Sequence, residues 1–399
     1  MKNLEFKRLI YCFGLIAEII IILSSCRSSN EKKLQTEIDQ VAAQWVPDHR
    51  VGICNIKLKS GTNGALILTG ETTNPDAKNA IIKTLHNKSK ILIDSVLLLP
   101  DTTKNREFMG LVTMSVINLR KKPDHTSELV SQARLGTPVL ILKVINSWIQ
   151  IQTPDNYISW TEETSVKRLN RTEMTTWKKS SKVIYIETTG WLHDTSSDNQ
   201  GVVGDLVAGS IMEKTGELKG ITSVILPDGR KGLVENKTIE DFDNWKCTIN
   251  CSEENICNVA RTFLGVPYLW GGSSIKGVDC SGFVQSVFFM NGLILARDAS
   301  LQALHGTPVD ITDGYSRLRK GDLLFFGSKE NKTLHVTHVA IYLGNSEYIN
   351  ASGRVMINSL DSTQVSFNRR RTSSLLEAKR ISGVVNDMGI VPVIKHPWY

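Results

Sequence analysis

Gly265-Val266-Pro267-Tyr268-Leu269-Trp270-Gly271-Gly272, followed by Val278-Asp279-Cys280-Ser281-Gly282-Phe283, is the stretch around which the chain is organised. A loop rich in Gly and Pro runs into a single Cys, and that Cys opens an apolar run, Phe283-Val284-Gln285-Ser286-Val287-Phe288-Phe289. The run predicts a buried helix with Cys280 at its N-terminus. A thiol there meets free backbone amides and the positive end of the helix dipole, so its pKa is expected to fall. Asp279 reads as the helix N-cap or a turn residue.

A thiolate needs a base, and the base needs an orienting group. Downstream, Val336-Thr337-His338-Val339-Ala340-Ile341-Tyr342-Leu343 and Glu347-Tyr348-Ile349-Asn350-Ala351 flank Gly344-Asn345-Ser346. Two β-rich runs around a Gly-Asn signal predict a hairpin. With Leu343 paired to Glu347, His338 and Asn350 become diagonal neighbours on one face. Cys280, His338 and Asn350 then supply nucleophile, base and imidazole-orienting amide, in the chain order of a papain-like triad. Tyr268, with the Cys280 backbone N–H, is a candidate oxyanion hole, and Trp270 is expected to line the cleft. His305 and His335 read as structural.

These residues carry a resemblance. The segment from about 255 to 380 resembles the NlpC family of bacterial cell-wall cysteine peptidases. The matching pieces are Pro267 to Gly272, Asp279 to Phe283, Arg297 with Gln302, Leu318 to Phe326, and the His338 hairpin. The third triad position, usually His in that family, is Asn350 here; an Asn carbonyl can also accept from an imidazole N–H.

The chain is 399 residues long, which implies several domains. Its 41% hydrophobic and 22% charged content is that of globular protein. A net charge of +7 spread over this length is no nucleic-acid signature, and no nucleic-acid partner is expected. Lys2, Lys7 and Arg8 precede an apolar run from Leu9 to Leu23, which ends at Ser24-Ser25-Cys26. This resembles a lipoprotein signal peptide over 1–25, with Cys26 as the lipidated residue. It implies an exported protein, lipid-anchored to a bacterial membrane in the periplasm or at the cell surface. A monomer is expected. Cys247, Cys251 and Cys257 lack a fourth ligand, so no metal site is expected; one disulfide among them, or free thiols, both remain open.

The fold expected is α+β and multidomain. A small α+β domain covers 34–105, with helices over Leu34–Trp45 and Asn74–His86 and strands over 51–58, 65–70 and 91–99. A β-rich domain at 110–170 has strands at Leu111 to Leu119, Pro138 to Val144, Trp148 to Gln152 and Tyr157 to Thr161. Its pieces Ser115 to Arg120, Gly136 to Val139 and Asn156 to Trp160 resemble bacterial SH3-like domains. A weaker copy of the pattern at 180–243 reads as a second, divergent SH3-like barrel. The papain-like NlpC domain occupies 250–399.

Two SH3-like barrels before such a domain, with Arg297-Asp298 after the Cys, resemble the γ-D-glutamyl-L-diamino acid peptidases. That resemblance implies that Asp298 clamps the free amine of an N-terminal L-Ala, with Glu128 and Tyr157 from the first barrel closing the same pocket. Two carboxylates in a closed cleft would reject a blocked amine. Ser281 would contact the peptide backbone; Ala299 departs from the Ser that relatives often carry. The implied substrates are peptidoglycan-derived peptides, with no cofactor. Two other readings stay open: an endopeptidase on intact wall peptides, and a catalytically inactive wall-binding lipoprotein.

Overall fold

The computed structural model describes residues 30–61, 65–86, 88, 91–103, 106–194, 201–331, 333–384 and 387–399. The signal peptide expected over 1–25 and the lipidation expected at Cys26 lie outside them. No helix among the described residues is long and apolar enough to cross a membrane. The chain divides into two compact units, 1–101 and 102–399.

In the first unit, residues 30–45 are helical and a second helix spans Pro75–His86. Asn74 caps the latter, its Oδ1 accepting from the Ala77 N–H at 2.9 Å. Strands Cys54–Ser60, Leu66–Thr72 and Leu92–Leu98 form one sheet, the first pair antiparallel and the second parallel across the helical crossover. Leu34, Ile38, Ile56, Leu58, Leu68, Ile81 and Leu85 make its core. Trp45 is exposed at the end of the first helix.

The second unit contains two seven-stranded sheets in succession. The first uses Met109–Val112, Val116–Arg120, Leu129–Arg134, Pro138–Ile145, Trp148–Gln152, Ile158–Glu162 and Val166–Leu169. Numbered within the domain, its strands lie in the order seventh, first, fourth, fifth, sixth, second, third. The second sheet, between Lys182 and Asp241, repeats that order strand for strand. Apolar residues of alternate positions fill the first core: Val112, Ile117, Leu119, Ile141, Ile149 and Ile151.

Two expectations for the first barrel need correction. The single strand foreseen over Leu111 to Leu119 is two strands. The chain changes neighbours at the break, the first piece pairing with Pro138–Ile145 and the next with Leu129–Arg134. Leu129–Arg134 is itself a strand that the sequence did not announce, because its half-buried residues include Gln132 and Arg134, which reach out of the barrel. Arg171–Lys179, a helix with an Asn170/Glu173 capping box, links the two sheets.

The C-terminal domain sets a helix, Cys280–Phe289, against a six-stranded antiparallel sheet. That sheet contains Leu323–Glu330, Thr333–Gly344, Glu347–Ser352, Arg354–Ser359 and Leu375–Arg380. Phe283, Val284, Val287 and Phe288 are wholly buried against Phe325, Val339, Ile341 and Ile349. Burying four such side chains contributes about 6–12 kcal/mol of gross hydrophobic stabilisation before entropy is counted. The helix is therefore held at a fixed height over the strand that carries His338.

Candidate active site

The helix start is built for Cys280. Asp279 is its N-cap, in extended backbone at φ −89° and ψ −177°. One carboxylate oxygen accepts from the Gly282 N–H at 2.7 Å and the other from the Gly271 N–H at 2.9 Å. Gly282 is obligatory here, since a Cβ would fall 2.0 Å from the Gly272 carbonyl oxygen. Helix and loop thus lock together around the nucleophile. Cys280 is 8% exposed, and its sulfur accepts from the backbone N–H groups of Val339 and Ser281. The first of these places the sulfur beside the residue that follows His338.

The hairpin adopts the expected register, with Ile341 opposite Ile349 and Tyr342 opposite Tyr348. At its tip the structure differs: Gly344, not Leu343, pairs with Glu347, and the two-residue loop is Asn345-Ser346. Both loop residues have positive φ, 50° and 62°, which suits the twist of the strands; Leu343 becomes the bulge that accommodates it. His338 and Asn350 are buried on one face, and His338 Nε2 lies 3.0 Å from Asn350 Oδ1. With Nε2 donating to the amide carbonyl, Nδ1 is left as the basic nitrogen.

Asn350 is held in turn. Its Nδ2 donates to Asn358 Oδ1 at 2.9 Å and to the Met356 carbonyl at 3.3 Å. Asn358 Nδ2 donates to the Ser366 carbonyl at 3.4 Å. Each amide has one orientation consistent with its neighbours, so the relay presents a carbonyl and not an NH₂ to His338.

The electrostatics correct one expectation. Burial pushes the Cys280 thiol up to about 11, with the Asp279 carboxylate adding to the rise. The two backbone N–H donors and the helix start act in the opposite sense and do not prevail. Burial, helped by the Arg371 charge, pulls His338 down to about 4. At rest the thiol and the imidazole are therefore both neutral. Each isolated charge is penalised, whereas proton transfer from sulfur to imidazole creates both charges side by side. Tyr268 is pushed up to about 12 by burial and by Cys280, so its phenol stays protonated and able to donate to an oxyanion.

Arg297 is 1% exposed and ties the helix start to the first barrel. It donates to both Asp279 oxygens at 3.1 and 2.7 Å, to Ser281 Oγ at 3.1 Å and to Ser131 Oγ at 2.9 Å. Ser281 is 4% exposed, with its hydroxyl engaged by Asp279 and Arg297 and its carbonyl by Gln302. Its side chain is part of this buried network.

The barrel residues reach the same region. Glu128 directly precedes the strand Leu129–Arg134. Its Oε1 accepts from Trp270 Nε1 at 3.0 Å, and its Oε2 lies 3.2 Å from Lys121 Nζ. Trp270 is 61% exposed, leaving most of its ring at the surface. Tyr157 is 5% exposed and near enough to Arg297 to raise the pKa of the guanidinium, as is Asp298. Asp298 is the half-buried N-cap of Ala299–Gln302, and its side chain does not cap that turn. Gln132 carries the seam further, accepting from the Ser273 N–H at 3.0 Å and from Ser274 Oγ at 3.2 Å.

His338 and Asn350 are therefore brought together directly, Cys280 is held against the residue that follows His338, and Tyr268 lies within electrostatic reach of Cys280, while Asp298 and Tyr157 lie near Arg297 and Glu128 meets Trp270. Asn358, Ser131 and Arg371 were not foreseen. Alternation along Arg354–Ser359 was the signal available for Asn358. Cys54, Cys247, Cys251, Cys257 and Cys280 are free thiols. Among the described residues no group of three or more His, Cys, Asp or Glu is placed to hold a metal ion.

The chain matches the NlpC/P60 family over residues 265–372 and the bacterial dipeptidyl-peptidase SH3 domain over 119–166. It is 30% identical over 262 residues to dipeptidyl-peptidase 6 of Lysinibacillus sphaericus, covering 63% of this chain and 92% of that relative. It is 43% identical over 98 residues to γ-D-glutamyl-L-lysine dipeptidyl-peptidase of Bacillus subtilis, covering 25% of this chain and 31% of that one. The crystal structure of an NlpC/P60 family protein from Bacillus cereus shares the fold at a TM-score of 0.59 and 21% identity, over 68% of this chain and 99% of that one.

Proposed function

Because the chain belongs to the NlpC/P60 family of cysteine peptidases, we propose that it hydrolyses the γ-D-glutamyl bond to an L-diamino acid in murein-derived peptides with a free N-terminal L-Ala. The relatives named for dipeptidyl-peptidase activity support this reading, and one of them aligns along nearly its whole length. The observation that carries it is the contact of barrel Glu128 with Trp270, in the loop before Cys280, at 3.0 Å. A carboxylate presented by a separate domain is suited to a terminal ammonium.

The chemistry is acyl transfer. His338 takes the Cys280 proton as the sulfur attacks the γ-carbonyl of D-Glu. Tyr268 and the Cys280 N–H stabilise the oxyanion, and His338 then returns the proton to the leaving amine. Water, activated by the same imidazole, hydrolyses the thioester and releases L-Ala-γ-D-Glu. Asn350 keeps the imidazole in the tautomer this cycle needs. Asp298, Glu128 and Tyr157 hold the amine end.

The work would take place outside the cytoplasm, on a protein anchored through a lipid on Cys26 and functioning as a monomer on peptides from wall turnover. The test compares L-Ala-γ-D-Glu-L-Lys with its N-acetyl form. Fast cleavage of the free peptide alone, abolished in Cys280→Ala, is the expected result. Equal cleavage of both would make the enzyme an endopeptidase, and cleavage of neither would leave a wall-binding protein.

A further inference from the structure

The C-terminal domain carries a cation the mechanism above does not use. Arg371 lies in the short helix Arg369–Thr372 and is half-buried. Its Nη2 donates to Ser352 Oγ at 3.4 Å. Ser352 lies two positions beyond Asn350 on the strand Glu347–Ser352, on the same face as the amide that meets His338. The charge of Arg371 is felt at His338, Tyr268 and Tyr348. Its neighbours in the chain, Arg369 and Arg370, and Arg354 on the adjoining strand add positive charge without adding an acid. Among the described residues Arg371 forms no ion pair.

A cation at this position works against the enzyme's own base, because it disfavours the imidazolium that must form. A half-buried guanidinium without a carboxylate beside a catalytic base is a site awaiting an anion. The side on which it stands identifies the anion. His338 hands its proton to the leaving amine, so the residue bearing that amine lies on His338's side of the scissile bond. Asp298 and Tyr157 lie near Arg297, whose partners are Asp279, Ser281 and Ser131 at the helix start and not Ser352, and the acyl half would sit on that side. The α-carboxyl carbon of the leaving residue is only two bonds from its amine nitrogen.

We propose that Arg371 binds the free α-carboxylate of the leaving diamino acid, which makes the enzyme selective for a peptide unblocked at both ends. This inference rests on the reading under Proposed function. Neutralising Arg371 with a substrate carboxylate would also remove the charge that opposes His338. Recognition of the leaving residue and activation of the base would then be linked.

The experiment measures kcat/KM for L-Ala-γ-D-Glu-L-Lys as the free acid and as the C-terminal carboxamide, with the intact protein, Arg371→Gln and Arg371→Lys. A third peptide carries D-isoglutamine in place of D-Glu, removing the other carboxylate. The expected result is a preference for the free acid of about 10- to 100-fold, the range of a charge-assisted hydrogen bond. That preference should collapse in Arg371→Gln and partly return in Arg371→Lys. Equal cleavage of acid and carboxamide by the intact protein overturns the proposal, whether or not the variants fold. So does an Arg371→Gln variant that keeps the preference, or one whose altered preference concerns only the D-isoglutamine peptide. If no peptide is cleaved, the parent reading fails and takes this inference with it.

Discussion

Glu128 and Trp270 are 142 positions apart in sequence, yet the indole Nε1 donates to the carboxylate at 3.0 Å. The first barrel thereby contacts the loop that leads into the catalytic helix. Ser131 on Arg297 and Gln132 on Ser273 and Ser274 secure the same seam. Glu128→Gln keeps an acceptor for Trp270 and removes only the charge. Expected is a fall of roughly 10- to 100-fold in kcat/KM for a free-amine tripeptide. A substrate already lacking the amine should be cleaved no more slowly than before. Steady-state kinetics on the two peptides would refute the amine clamp if both fell equally.

The amide relay behind His338 yields a second expectation. Asn358→Leu removes the acceptor that fixes Asn350, allowing the Asn350 amide to turn its NH₂ toward His338 and favour the wrong tautomer. A drop in kcat of about 10-fold is expected, with KM little changed. Asn358→Asp retains the acceptor and should restore most of the rate. A purely structural role for Asn358 would instead lower the melting temperature of Leu and Asp variants alike, without separating their kcat values.

Much of this site was legible because it is local. Helix start, N-cap and hairpin are specified by residues within a few positions of one another, and a two-residue periodicity puts His338 and Asn350 on one face whatever the rest of the chain does. The hairpin tip was missed by one position because a bulge at Leu343 costs little and is not encoded by residue type. The strand Leu129–Arg134 was hidden since its outward residues serve the domain seam instead of the barrel. The rise in the Cys280 pKa was illegible for a deeper reason. The sequence announces the helix N-terminus, but the burial that outweighs it is produced by the sheet folding over the sulfur.

The same burial predicts how stability depends on pH. His338 has a folded pKa of about 4, below its ordinary value near 6.5, so the unfolded chain binds the extra proton first as pH falls. Stability contributed by neutral His338 is present above about pH 6.5 and is lost progressively toward pH 4. Cys280 has a folded pKa of about 11, above its ordinary value near 9, so its contribution is present below pH 9 and is lost as pH rises toward 11. Thermal melts across these windows should show both declines. His338→Gln should flatten the acidic limb alone and Cys280→Ala the alkaline limb alone. Unchanged limbs in those variants would mean that other groups dominate the pH response.

The Asp279–Arg297 pair makes the last expectation the most severe. Arg297 is 1% exposed, and its Nη2 meets Asp279 Oδ2 at 2.7 Å, so neither charge can turn to water if the other is removed. Arg297→Met leaves an uncompensated carboxylate at the helix start and two hydroxyls, Ser131 and Ser281, without a donor. A loss of about 3–5 kcal/mol is expected from breaking a buried pair on one side. Asp279→Asn should also be costly, because it strands the Arg297 guanidinium and turns an amide NH₂ toward the Gly271 N–H, although its carbonyl oxygen can still cap Gly282. Combining the two substitutions should cost less than their sum, since the second removes the charge the first left stranded. Urea titrations of the single and double variants measure this coupling. Strict additivity would mean that the pair does not act as a unit and that the seam between barrel and catalytic domain is held by other contacts.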